Sequence, residues 1–217
     1  MKLGKVLRLL ILANLALPAA AGAQLSISYF ASDSEVAPAL SDSLFVAQGR
    51  IGDLLGTVTF ELSIGPSTTN PVACAQHGWQ NEQPYSFTLT YDVATHLAVF
   101  GLAGQTLCYV TDYQAFDAIF IRSQAVVQSS SVHVYDLVLD GITIPGSCLA
   151  EGPNGLQIMQ IYGAPLRDGF TLTGDAMMVW GKSIPTNSQL TFQIKVANML
   201  AVDAEADSWG RVKALFQ

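Results

Sequence analysis

The chain has 217 residues and a formal net charge of −7, and only 12% of its residues are charged. So acidic a surface repels phosphate backbones and anionic lipid, which sets aside nucleic acid as a partner and docking on acidic membranes. The length suits one all-β domain with a core large enough to fold without a structural metal or a dense disulfide set.

Lys2, Lys5 and Arg8 lead into an apolar run over residues 9–17, interrupted only by Asn14. Pro18 and small residues then carry the chain to Ala21-Gly22-Ala23. A basic start, a short apolar middle and an A-x-A-like site describe a removable secretory signal. The apolar run is shorter than the ~20 residues that cross a bilayer. The expectation is a signal peptide over residues 1–23 and a mature protein that starts at Gln24, secreted or held in the cell envelope. That mature chain has no transmembrane span. Its 194 residues carry 7 basic against 17 acidic side chains, a net charge of −10.

Alternation of apolar and polar residues then recurs, which puts one side of a strand on a core and the other in water. Residues 25–29 open the mature chain this way, and residues 57–64 repeat it before Gly65-Pro66. Residues 34–43 have a short helical character. The clearest strand is 86–92, where Phe87, Leu89 and Tyr91 face one way. It is followed after Val93-Ala94-Thr95 by the run 96–100, and the pair reads as a hairpin. Strands follow at 118–122 and at 132–139, the latter closed by the Asp140-Gly141 turn signal. Segments 169–174 and 176–180 come next, with Gly174 as a candidate bulge. Residues 189–196 close the set. Residues 66–71, 151–155 and 184–188 are turn-forming clusters.

Many short strands without intervening amphipathic helices predict an all-β fold, an antiparallel β-sandwich of jelly-roll type, over residues 24–197. The tail, 198–217, places Val202, Ala206, Trp209, Val212 and Phe216 at three-to-four spacing, compatible with a short C-terminal helix.

All three cysteines, Cys74, Cys108 and Cys148, lie in the mature region. An oxidising compartment would pair two of them. Three pairings are open. Cys74–Cys108 is favoured because the intervening hairpin could bring both to one end of a sheet, which leaves Cys148 as a buried, inert thiol.

The chain has no G-x-S-x-G stretch for a nucleophile elbow. Cys74-Ala75-Gln76-His77 has a ligand-like spacing but no second ligand pair to complete a zinc site, and His96 and His133 fall singly on strands. Asp203, Glu205 and Asp207 begin like an EF-hand loop. The sixth and twelfth places hold Ser208 and Ala214, which supply neither the turn nor the bidentate ligand. Strand-end aspartates such as Asp112, Asp136 or Asp140 leave room for a calcium ion. Otherwise no cofactor is implied. Glu61 is the one glutamate on a clear strand, and no second acid shares its face to form the carboxylate pair of a glycoside hydrolase. Sugar binding needs only an aromatic platform with polar groups beside it. Trp79, in the polar loop 76–83, and Trp180, at a strand end, are the candidates.

In order, Phe87-Thr88-Leu89-Thr90-Tyr91-Asp92, Ile119-Phe120-Ile121-Arg122, Tyr135-Asp136-Leu137-Val138-Leu139-Asp140-Gly141 and Gly169-Phe170-Thr171-Leu172-Thr173-Gly174 form one series. Pro185-Thr186-Asn187-Ser188-Gln189-Leu190 and Phe192-Gln193-Ile194-Lys195-Val196 complete it. The series resembles the choice-of-anchor class of secreted bacterial proteins, its W variety above all, over about half the chain. These are β-sandwich-like modules carrying interchangeable surface-sorting tails such as PEP-CTERM signals. The resemblance implies a bacterial surface protein and no catalytic residues. An anchored relative would end in a sorting motif, an apolar span and a basic tip. The segment 208–217 matches none of these, so release, noncovalent attachment and a lost tail all stay open.

The sequence therefore predicts an exported non-enzymatic protein that acts by adhesion or matrix association. A carbohydrate-binding module is the alternative and a polysaccharide-active hydrolase the second. The partner expected is an extracellular glycan or matrix component.

Overall fold

Phe87, Leu89 and Tyr91 all point into one core, as their alternation requires, and Ser86, Thr88 and Asp92 between them face solvent. The same rule builds most of the molecule. The computed structural model describes residues 25–40, 43–52, 60–112, 116–163 and 166–198. The expected signal peptide, the tail helix and the first residues of the 57–64 strand lie outside these.

Along the described chain run β1 (Ser26–Phe30), α1 (Asp33–Leu40), β2 (Ser43–Arg50), β3 (Leu62–Gly65), β4 (Ala73–Ala75), β5 (Pro84–Asp92), β6 (Leu97–Leu102) and β7 (Gln105–Val110). There follow β8 (Ala118–Ala125), β9 (Ser131–Leu139), β10 (Ile142–Thr143), β11 (Cys148–Glu151), β12 (Gly155–Tyr162), β13 (Phe170–Val179) and β14 (Leu190–Ala197). A 3-10 turn at Leu166–Asp168 precedes β13.

The first sheet has the order β1-β12-β8-β14-β2-β3-β4, and the second β10-β9-β13-β5-β6-β7, with β11 also paired to β9. β2 pairs β14, β5 pairs β13, β8 pairs β12 and β9 pairs β11, all antiparallel. These four pairs are one long antiparallel ribbon wound back and forth between the sheets. The expected all-β sandwich, with jelly-roll strand order, is the fold of this chain.

Two local predictions change. The sequence divides residues 169–180 into two segments, but β13 runs unbroken through Gly174. The irregularity sits on the partner strand, where the register of β9 shifts between Thr173 and Asp175 and Asp136 takes a positive φ of 50°. A Cβ on Gly174 would lie 2.8 Å from Leu137 Cδ2 and 3.0 Å from Phe87 Cζ, so glycine lets the bulged strand close down. Asp140-Gly141 forms the predicted turn between β9 and β10, with φ of 49° and 80° at its two central residues.

The core lies between the sheets. Phe45, Tyr91 and Phe116 meet there, with Tyr91 and Phe116 edge-on at 4.4 Å, and Phe87 packs on Phe192 at 6.0 Å. Each such fully buried ring contributes about 1.5–3 kcal/mol by burial. A smaller apolar cluster forms on the outer face of the first sheet, where Val36 of α1 covers Ala118, Phe120, Ile158 and Ala197. Ser32 and Glu35 cap α1: Ser32 Oγ donates to Glu35 Oε1 at 2.8 Å, and the same oxygen accepts from the Ala31 amide.

The outer faces of the two sheets differ in charge. Arg50, Arg122 and Lys195 alternate with core residues and so belong to the outward side of the first sheet. The strands of the second sheet carry no lysine or arginine.

Candidate functional site

One end of the sandwich holds an open groove of about 470 Å³, lined by Thr90, Asp92, Asp140, Asp168 and Thr171, with Tyr91 and Phe170 behind them. Register explains the grouping. β5 ends beside the start of β13, so Thr90 faces Thr171 and Tyr91 faces Phe170. β9 ends on the other side of β13, and its turn residue Asp140 accepts the Thr171 amide on Oδ1 at 2.7 Å. Asp168 arrives on the 3-10 turn just before β13.

The Asp92 carboxylate is exposed. It accepts the amides of Thr95 and Ala94, at 3.0 and 2.8 Å, and these hold its carboxyl below the ordinary range. The site is therefore a cluster of hydrogen-bond acceptors with two hydroxyls that both donate and accept. Its chemistry suits recognition of a ligand rich in neutral donors.

The aspartates that left room for a calcium ion lie at separate places along the second sheet. Asp112 follows β7, Asp136 sits in the β9 bulge and Asp140 in the turn beyond it. Among the described residues no three His, Cys, Asp or Glu side chains are grouped as metal ligands.

The tryptophans lie at the opposite end, beyond the far ends of β5 and β13. Trp79 is half-buried. Its indole Nε1 donates to the Arg50 carbonyl at 2.8 Å, and the His77, Tyr85 and Phe192 rings stand roughly perpendicular to it. Trp180 is 8% exposed, and Asn81 brackets its backbone through both amide atoms. The Trp180 ring belongs to the core, and the Trp79 ring is partly buried against it.

The same corner gathers other polar groups. Glu61 Oε2 accepts the His77 amide at 3.0 Å. Arg50 lies 4.0 Å over the Phe60 ring and donates to the Phe60 carbonyl and to Ser188 Oγ. His77 sits between Trp79 and Tyr85, its Nε2 buried without a partner among the described residues, and burial pushes its pKa down. His133 is alike: it stacks on Tyr135 at 4.6 Å, and burial lowers its pKa. His96 occupies the turn between β5 and β6 at a positive φ.

All three cysteines are free thiols. The pairing of Cys74 with Cys108 is therefore corrected. Ala73 and Ala75 pack toward the core on β4, as Leu107 and Tyr109 do on β7. Cys74 and Cys108 fall between them, exposed on the outer sides of different sheets. The hairpin brings the strands near one another but turns both thiols outward. Cys148 is buried as expected, its thiol within 3.2 Å of the carbonyls of Ile121 and Gln157, and burial raises its pKa.

Sequence reasoning missed the groove. Asp140 is legible as a strand-end aspartate, but only strand order makes it a neighbour of Asp92 and Thr171. A scan against protein-family models gives no match, and no curated protein is detectably similar to the chain.

Proposed function

We propose that this chain is an exported, non-enzymatic β-sandwich protein that works by adhesion or matrix association at the cell surface, in the manner of the choice-of-anchor class. The open groove of carboxylates and hydroxyls at one end of the jelly roll carries the reading. Strand ends and the turns beside them hold its carboxylates and hydroxyls, groups that suit recognition of a ligand through hydrogen bonds. The leader pattern supplies the address. The groove also favours a second reading, a carbohydrate-binding module, because carboxylates and hydroxyls together satisfy sugar hydroxyls.

The test has two parts. Fractionation of cells expressing the full chain should recover it in the medium or envelope with Gln24 at its amino terminus. Isolated cell-surface material should then retain it, and the combined variant Asp92→Asn, Asp140→Asn, Asp168→Asn should be retained about tenfold less at an unchanged circular dichroism spectrum. Cytosolic recovery, or equal retention of the variant, overturns the reading.

A further inference from the structure

The outward face of the second sheet continues from the groove through Thr90 and Thr171, and its side chains form a regular pattern. Thr173 faces Thr88, Thr88 faces Gly101, and Gly101 faces Thr106, one row across four strands. The next row is Thr171, Thr90, Val99 and Cys108. A third begins with Asp175 and Ser86, joined by a 2.6 Å hydrogen bond. Strand spacing puts neighbours within a row about 4.8 Å apart, and the pleat puts successive rows about 6.8 Å apart.

Three properties distinguish this face. Its side chains are short: none in the first two rows is larger than threonine or valine. Its threonine hydroxyls are free: those of Thr88, Thr90, Thr106, Thr171 and Thr173 make no hydrogen bond among the described residues, and Thr88, Thr106 and Thr171 are exposed. Its charge is of one sign. Asp92 and Asp175 flank the rows, and the sheet's strands contribute no cation.

We infer that this face binds a neutral polysaccharide laid across the threonine rows, with the groove receiving one end of the chain. The inference rests on the reading of the protein as an association module and names its ligand class. Each threonine hydroxyl both donates and accepts, as each sugar hydroxyl does, so rows of short hydroxyl side chains can pair with a polyol in either direction. The flanking carboxylates accept from sugar hydroxyls with charge assistance. The absence of cations from these strands, with carboxylates at both sides, repels a polyanionic chain and fits an uncharged one.

Affinity electrophoresis of the purified full chain through gels containing laminarin, xylan or soluble starch tests the assignment, with alginate as the polyanionic comparison. At least one neutral polysaccharide should retard the protein, and alginate should not. Thr88→Ala with Thr173→Ala should weaken retardation about tenfold. Thr88→Ser with Thr173→Ser keeps both hydroxyls and should stay within about threefold of the parent, which separates lost hydroxyls from lost structure. Retardation by none of the three, equal retardation by alginate, or full binding by the alanine pair overturns the inference. If cell-surface retention persists while every glycan fails, the association reading stands and the polysaccharide assignment alone falls.

Discussion

Arg122 grips Asp33 with both prongs of its guanidinium, Nε to Oδ1 at 2.7 Å and Nη2 to Oδ2 at 2.8 Å. The pair ties α1 to the outer face of the first sheet, beside the apolar contact of Val36 with Phe120 and Ala118. Its hydrogen bonds from Arg122 hold the Asp33 carboxyl below its ordinary pKa, outweighing the opposing effect of burial. A carboxyl depressed on folding stabilises the native state above its unfolded pKa of about 3.8, and the contribution fades as pH falls through the folded value. The Asp33 side chain is 52% exposed, so solvent screens the pair. Asp33→Asn should cost about 0.5–1 kcal/mol in urea unfolding at pH 7, less at high salt, and progressively less as acid protonates the folded carboxyl. A cost undiminished by acid would remove the ion pair as its cause.

Gly174→Ala should destabilise the sandwich by about 1–3 kcal/mol. The new methyl meets Leu137 Cδ2 at 2.8 Å, Phe87 Cζ at 3.0 Å and the Tyr135 carbonyl at 3.0 Å, and the carbonyl belongs to a paired strand that gives little. Gly141→Ala has open space around it and pays only for its positive φ, about 1 kcal/mol. Chemical denaturation that ranked the second variant below the first would contradict the packing described at the bulge.

Thiol labelling should divide the cysteines. In the native protein a disulfide reagent should titrate two, Cys74 and Cys108, and reach Cys148 only in denaturant. Cys74 should react more slowly near neutral pH, because burial raises its pKa more than nearby Arg50 lowers it. Two thiols that appear only after reduction would show a bridge absent from this structure.

His77 and His133 should make the protein acid-sensitive. Burial lowers both below the ordinary value of 6.5, so the unfolded chain takes up a proton that the folded one resists. Stability should therefore decline as pH drops below about 6.5, through the range where only the unfolded imidazoles are charged. Replacing both by Gln should flatten the thermal midpoint between pH 7 and 5 without removing the acid loss that belongs to Asp33. An unchanged slope in the double variant would assign the sensitivity elsewhere.

Strands with one wet side were legible from their residues. β5, β9 and β13 matched alternating segments, since one buried side marks every second position; β14 alternated too, because its covered outer side is polar at Thr191, Gln193 and Lys195. β2 was not legible, because Phe45, Val46, Ala47 and Gln48 are all buried and a strand covered on both sides loses its period. The centre of β12, Ile158 to Ile161, is hidden in the same way. Trp79 reads alike in sequence whether a loop aromatic is displayed or, as here, half-buried against His77, Tyr85 and Phe192, and Trp180 whether a strand-end aromatic is displayed or, as here, buried.

Local order in this chain follows from side-chain chemistry taken a few residues at a time. Alternation names strands, and Asp140-Gly141 names a turn, because each depends on neighbours along the backbone. Bringing Asp92, Asp140 and Asp168 to one groove, setting Thr88 opposite Thr173, and turning Cys74 and Cys108 to different outer faces were matters of register between strands distant in the chain. Register is settled when both sheets bury their apolar sides together, so it belongs to the folded whole rather than to any one segment.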